Sequence, residues 1–242
     1  MASSITSATS VFGYLIPEGF ESRTVNLYSQ FIEADPSATV VPLKARPECL
    51  ESAVHNVRTG LVPGMCVDSS LYMGLGSLMD AITKEASVSN VIDTVFADCK
   101  TGALVGDCTG VSAFRNMSSF LGTVDEPVVA ICGGGWETRV AMTALSGEVT
   151  MIQVQAEPDA LLDDIPTGCV VEYVPEFPSF EPFDLVVNPP DGFNPRENQY
   201  VIRTSAWFEC LRLALSVGKF RGLPENISLD TAEQYKKIIA HV

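Results

Sequence analysis

Pro127-Val128-Val129-Ala130-Ile131-Cys132-Gly133-Gly134-Gly135-Trp136-Glu137-Thr138-Arg139 is the stretch that decides the fold. Its first six residues carry no polar alternation, which predicts a strand buried on both faces of a sheet. Three glycines then make a tight turn, and the apolar spacing over residues 136–145 predicts a helix directly after it. Strand, glycine turn and helix in this order form one repeat of a parallel, doubly wound sheet. In such a repeat the free N–H groups at the helix start face an anion.

Gly133, Gly134 and Gly135 are therefore candidate cofactor-binding residues, but the pattern G-x-G-x-x-G is incomplete in either register. Starting at Cys132, the first glycine is missing and Glu137 takes the last place; starting at Gly133, Thr138 takes the last place. Glu137 brings negative charge to the phosphate end of the helix, and Trp136 takes up room a dinucleotide needs. About 20 residues on, Gln155 and Ala156 stand where an NAD site uses an acid and an NADP site an arginine. The expectation is no cofactor, with the glycines making only a turn; NADP is the alternative left open.

Working outward, short apolar runs at 149–154, 170–174 and 185–188 predict further strands, and residues 204–215 and 229–240 predict closing helices. Towards the N-terminus, strands are predicted at 11–16, 38–43, 64–67 and 91–96, with a hairpin partner at 103–106. Helices are predicted at 22–32, at 47–58 with Gly60 as its stop, and at 71–84. Residues 112–121 read as a linker helix, and the turn-prone segment 122–127 as a boundary. The fold class is α/β in two domains: residues 1–121 form a mostly parallel sheet domain with its linker helix, and residues 122–242 a Rossmann-like, doubly wound domain.

The 242 residues carry a net charge of −15, with 46% apolar and 19% charged side chains. That is globular composition, and so acidic a surface repels nucleic acid and anionic membranes alike. Seven cysteines without a C-x-x-C pair, and only two histidines, argue against a zinc site or a disulfide framework and for reduced thiols. The N-terminus has no signal-peptide pattern and no run is long enough to span a bilayer, so a cytoplasmic protein is expected. His55 reads as an exposed helix residue.

Residues 89–109, SNVIDTVFADCKTGALVGDCT, resemble the end of the substrate domain of the shikimate and quinate dehydrogenases, with its A-V-N-T and L-x-G-x-N-T-D-G motifs. Gly64-Met-Cys-Val67 is similar to that family's G-x-N-V-T segment, Gly13 and Pro17 to its opening glycine and proline, and residues 184–192 to its D-hydrophobic-hydrophobic-N-x-T-P-x-G. The resemblance runs over the whole chain. It implies a cleft between the two domains, with the C-terminal helices packing back towards it, and a homodimer. It also implies that the residues of catalysis are replaced. The family's acid/base lysine falls at Tyr72 and its partner aspartate at Gly110; its two asparagines fall at Asp93 and Cys108. Its substrate serines fall near Glu21 and Arg23, and a late glutamine falls at Arg212. Without a Lys–Asp pair to shuttle protons, shikimate oxidation is not expected.

The same resemblance puts Asp68, Tyr28 and Asp107 at the cleft beside these residues, around a small-molecule ligand. Tyr72, Asp93, Asp68 and Glu21 are the candidate catalytic groups: the acids as general acid or base if desolvated, and Tyr72 as donor to a developing oxyanion. Arg23, Tyr28, Asp107, Cys108 and Arg212 are candidates for holding substrate. The plain alternatives are solvated acids, a packing cysteine and wall aromatics. Three functional readings follow. The first is a cofactor-independent lyase, isomerase or cyclase in specialised biosynthesis. The others are a non-catalytic, metabolite-binding regulator, and an NAD(P)-dependent oxidoreductase with an altered substrate.

Overall fold

The computed structural model describes residues 10–18, 38–46, 49–156, 165–166, 168–204, 206–226 and 229–230. The helices expected at 22–32 and, for the most part, at 229–240 lie outside them. By its internal contacts the chain divides into two compact units. One comprises residues 1–82, 92–107 and 210–242; the other comprises 83–91 and 108–209.

The first unit is built on a six-stranded sheet in the order β2-β1-β3-β5-β6-β4. Its strands are β1 (Ser10–Pro17), β2 (Ala38–Ala45), β3 (Gly64–Val67), β4 (Ala81–Ile82), β5 (Thr94–Ala97) and β6 (Leu104–Asp107). β5 runs antiparallel to both neighbours, and the other pairings are parallel. Phe12, Tyr14, Leu15 and Ile16 are all buried, as central strands require. Helix α1 (Leu50–Arg58) lays Leu50, Ala53, Val54 and Val57 inward. At its end Gly60 takes a left-handed φ of 72°, as the sequence predicts for its stop.

Three expectations are corrected here. Residues 71–84 do not form one helix. They make two 3₁₀ turns at Ser69–Gly74 and Gly76–Leu78, then β4. Asp80 forces this: it accepts the N–H of Leu104 at 2.9 Å and binds both Nη atoms of Arg58 at 2.9 and 3.0 Å, which fixes the segment to the sheet edge. The strand expected at 91–96 begins instead at Thr94. The last helix of the described residues, α5 (Ala206–Phe220), runs five residues past its expected end at 215. Gly218 does not stop it, because Ser216 and Phe220 both pack on the sheet.

The second unit holds a five-stranded, all-parallel sheet in the order β11-β10-β7-β8-β9. Its strands are β7 (Val128–Cys132), β8 (Met151–Gln155), β9 (Val170–Val174), β10 (Leu185–Val187) and β11 (Tyr200–Ile202). β11 escapes the sequence reading because Tyr200-Val-Ile is too short to show a period. Helix α2 (Lys84–Ser89) starts under a Thr83 cap that accepts the N–H of Ala86 at 3.3 Å. The linker helix expected at 112–121 is α3 (Thr109–Met117), followed by a 3₁₀ turn. Helix α4 (Trp136–Leu145) keeps its expected bounds. Phe177, Phe180, Phe183 and Phe193 cluster over Ala130 and Val186 on one sheet face. Strand order reverses between β7 and β10, which puts the glycine turn at the place where open α/β sheets hold their ligands.

Candidate functional site

In the first unit, three neighbouring strands inside the sheet gather polar residues that the chain keeps out of water. Register explains the convergence. Cys66 pairs with Thr94 and Thr94 with Asp107, so β3, β5 and β6 present these positions side by side. The backbone of Asp93 ties them together: its N–H donates to Asp107 at 3.1 Å and its carbonyl accepts from Val67 at 2.9 Å. α5 then crosses this face and lays Arg212, Ser216 and Lys219 along one stripe of it. Thr94 Oγ1 donates to Asp93 Oδ1 at 2.6 Å and is hydrogen-bonded to Ser216 Oγ at 2.7 Å. Arg212 Nη1 donates to the Asp93 carbonyl at 3.4 Å. Asp93 and Arg212 are both 0% exposed.

Lys219 completes the cluster. Its Nζ lies 3.1 Å from Asp107 Oδ2, with the lysine side chain 42% exposed and the carboxylate 6%. A lysine–aspartate pair thus stands here, supplied by α5 and β6. The sequence reading missed Lys219, Thr94 and Ser216; only the packing of α5 identifies them.

Of the residues singled out from sequence, Asp93, Asp107 and Arg212 come together here. Tyr72 is buried at 2% exposure in a 3₁₀ turn, and its carbonyl accepts from Ile92 at 3.3 Å. Asp68 caps that turn through Oδ1, which accepts from Ser70 N at 3.2 Å and Ser70 Oγ at 2.8 Å. Cys108, in the second unit, is buried just before α3. Glu21, Arg23 and Tyr28 lie outside the described residues. His55 is exposed on α1. Among the described residues no cluster of histidine, cysteine or carboxylates is placed to hold a metal, and no helix is long and apolar enough to cross a membrane.

The second unit's turn has its own geometry. Gly133 and Gly135 take φ of 102° and 86°, so glycine is required at both. Thr138 Oγ1 donates to the Gly133 carbonyl at 2.8 Å and pins the turn. Arg139 points away: its guanidinium is buried and donates to the Ser89 carbonyl on α2. Glu137 is half-buried in the first turn of the helix. A Cβ at Gly135 would lie 3.8 Å from Glu137 Oε2. Burial raises the pKa of Glu137 above the usual carboxylate range, and the charge of Glu209 adds to this. The first turn of the helix thus carries an acidic residue, and Arg139 is turned elsewhere.

Two predictions arise at this turn. The folded state holds the Glu137 proton more tightly than the unfolded chain does. Stability contributed by the protonated acid is therefore lost as pH rises through the carboxylate range. Glu137→Gln is expected to flatten that slope in chemical denaturation followed against pH, and an unchanged slope refutes it. Cys132, at the end of β7, is pushed up to about 11 by burial, offset in part by Arg203. Its thiol is expected to resist alkylation at pH 8 in the folded protein while exposed Cys49 and Cys99 react, as read by mass spectrometry.

By sequence, no protein-family profile and no curated protein matches the chain. By structure, it is similar over 93% of its length to 98% of quinate dehydrogenase from Corynebacterium glutamicum in complex with NAD. The TM-score is 0.70 at 19% identity. The fold is that of the shikimate and quinate dehydrogenases. Shikimate 5-dehydrogenase from Listeria monocytogenes, in complex with shikimate and NAD, gives 0.69 at 14% identity, over 95% of this chain and 98% of that one. The 5-ketofructose reductase of Gluconobacter, in a ligand-free form, gives 0.68 at 15% identity, over 93% and 98%.

Proposed function

We propose that the protein is a non-redox enzyme on the shikimate dehydrogenase fold, performing acid/base chemistry on a small organic substrate of the lyase, isomerase or cyclase type. The observation that carries this reading is the Asp107–Lys219 pair. A carboxylate almost wholly withdrawn from water is held 3.1 Å from an ammonium that solvent still reaches. Lys219 can meet a ligand without any part of the sheet opening, and its three N–H donors suit a carboxylate or a developing enolate oxygen. Asp107 holds the lysine head in place. Asp93, Thr94, Ser216 and Arg212 fix the backbone that positions both.

A cofactor-free assay tests it. Small cyclic hydroxy and keto acids are incubated with the protein in D₂O, and exchange at the carbon beside the carbonyl is followed by NMR. Exchange is expected without nicotinamide, with Lys219→Met and Asp107→Asn each at least ~10-fold slower, about 1.4 kcal/mol in the barrier. Binding without exchange by the wild type sinks the enzyme reading and leaves the metabolite-binding regulator. That second reading draws its support from the complete burial of Asp93 and Arg212. Exchange or turnover only when NADP is added favours the oxidoreductase.

A further inference from the structure

We propose that the second unit carries a binding site for an aromatic α-amino acid, in the hollow lined by Phe180, Glu181, Phe193, Asn194, Arg196 and Gln199. The proposal goes beyond the acid/base reading and does not rest on it, since none of these residues belongs to the first unit. It is also apart from the glycine turn. Phe180 and Glu181 come just before β10 and Gln199 just before β11, whereas the turn follows β7, and in a parallel sheet those are opposite ends.

The hollow measures about 260 Å³. That is just under the ~300 Å³ at which small-molecule sites begin, so its guest is about the size of one amino acid. Its walls are fixed in advance. The Gln199 amide donates to the carbonyls of Phe180 at 2.6 Å and Phe183 at 2.9 Å, and its Oε1 accepts the N–H of Arg196 at 3.3 Å. One side chain thus clamps both loops. Phe180 and Phe193 meet edge to face, with centroids 5.0 Å apart and planes at 74°. Both are half-buried, so each keeps part of its ring open to a third aromatic group.

Two opposite charges line the same hollow without pairing. Among the described residues the Arg196 guanidinium donates only to the Phe183 carbonyl, at a long 3.4 Å, and the Glu181 carboxylate has no partner. An ammonium for Glu181 and a carboxylate for the Arg196 fork, on one ligand with an aromatic body, satisfy all three features together. A phosphate meets repulsion from Glu181, and a purely apolar guest covers two charges and pairs neither.

The test is a ligand-observed NMR titration of the full-length protein with L-phenylalanine, for which a Kd of ~1 mM or tighter is expected. Phenethylamine lacks the carboxylate and 3-phenylpropionate the ammonium, and each is expected to bind about 5-fold more weakly, as loss of one exposed ion pair allows. Alanine, without the ring, is expected to show no saturable binding. Arg196→Gln should weaken phenylalanine about 5-fold and leave phenethylamine unchanged; Glu181→Gln should weaken it equally and leave 3-phenylpropionate unchanged. Both side chains are exposed, circular dichroism confirms the fold, and the four compounds test the wild type without any variant. Three results overturn the proposal: no saturable phenylalanine binding below ~10 mM, an affinity that does not fall when the ring or a charge is removed, or folded variants that both bind phenylalanine as the wild type does.

Discussion

Arg212→Met is expected to destabilise the first unit by about 3–5 kcal/mol, the range found when one member of a buried polar, charged network is removed. Arg212 heads the fully buried side chains of the described residues by volume. Its guanidinium reaches the Asp93 carbonyl, and its own carbonyl accepts from Ser216 Oγ at 3.0 Å. Methionine fills most of the volume, so the loss reports charge and hydrogen bonds more than cavity. What stays behind is the buried Asp93 carbonyl with one donor fewer. The measurement is the urea midpoint, with an unchanged slope showing that the unfolded state is not altered. Lys219→Met serves as the contrast. That side chain is 42% exposed, and its ion pair is screened by solvent, so a change within ~1 kcal/mol is expected. Equal effects from the two substitutions would refute the account of α5 as a charged stripe buried at one end and wet at the other.

Gly64→Ala is the second large effect, expected at about 2–3 kcal/mol from overpacking. A Cβ at Gly64 would lie 2.0 Å from Phe220 Cδ1 and 2.4 Å from its Cε1, and a ring cannot bend away as a flexible chain end does. Phe220 is held in turn by Phe12, with ring centroids 5.7 Å apart, and Arg221 lies 5.4 Å above the Phe12 ring. The clash is thus between β3 and the last turn of α5, the same helix that carries Lys219. Phe220→Leu in the Gly64→Ala background should restore part of the stability, so the double mutant loses less than the sum of the singles by ~1 kcal/mol or more. Strict additivity would show that the two residues do not meet.

The sequence alone determined where backbone periodicity is strong. The uninterrupted apolar run into Cys132, the three glycines and the helix to Leu145 require no distant partner to be read, because burial on both faces and a tight turn are local properties. The hairpin at 91–106 was legible in the same way, since it pairs neighbours in the chain. Local pattern misled at 71–84, where helical spacing lost to the anchoring of Asp80 on Leu104 and Arg58. It also misled at residue 215, where the expected end gave way to packing of Ser216 and Phe220 on the sheet.

The candidate site was legible only in half. Asp93, Asp107 and Arg212 were marked as residues of interest, yet nothing in the sequence said that Thr94 and Ser216 meet from 122 positions apart, or that Lys219 comes to rest on Asp107. Such pairs are set by which stripe of α5 faces the sheet and by the register of β5 against β6, and both are settled by burial across the whole unit. Glu137 shows the same division at one residue. Its place at the helix start is plain in the sequence, but the burial that raises its pKa is decided by tertiary packing.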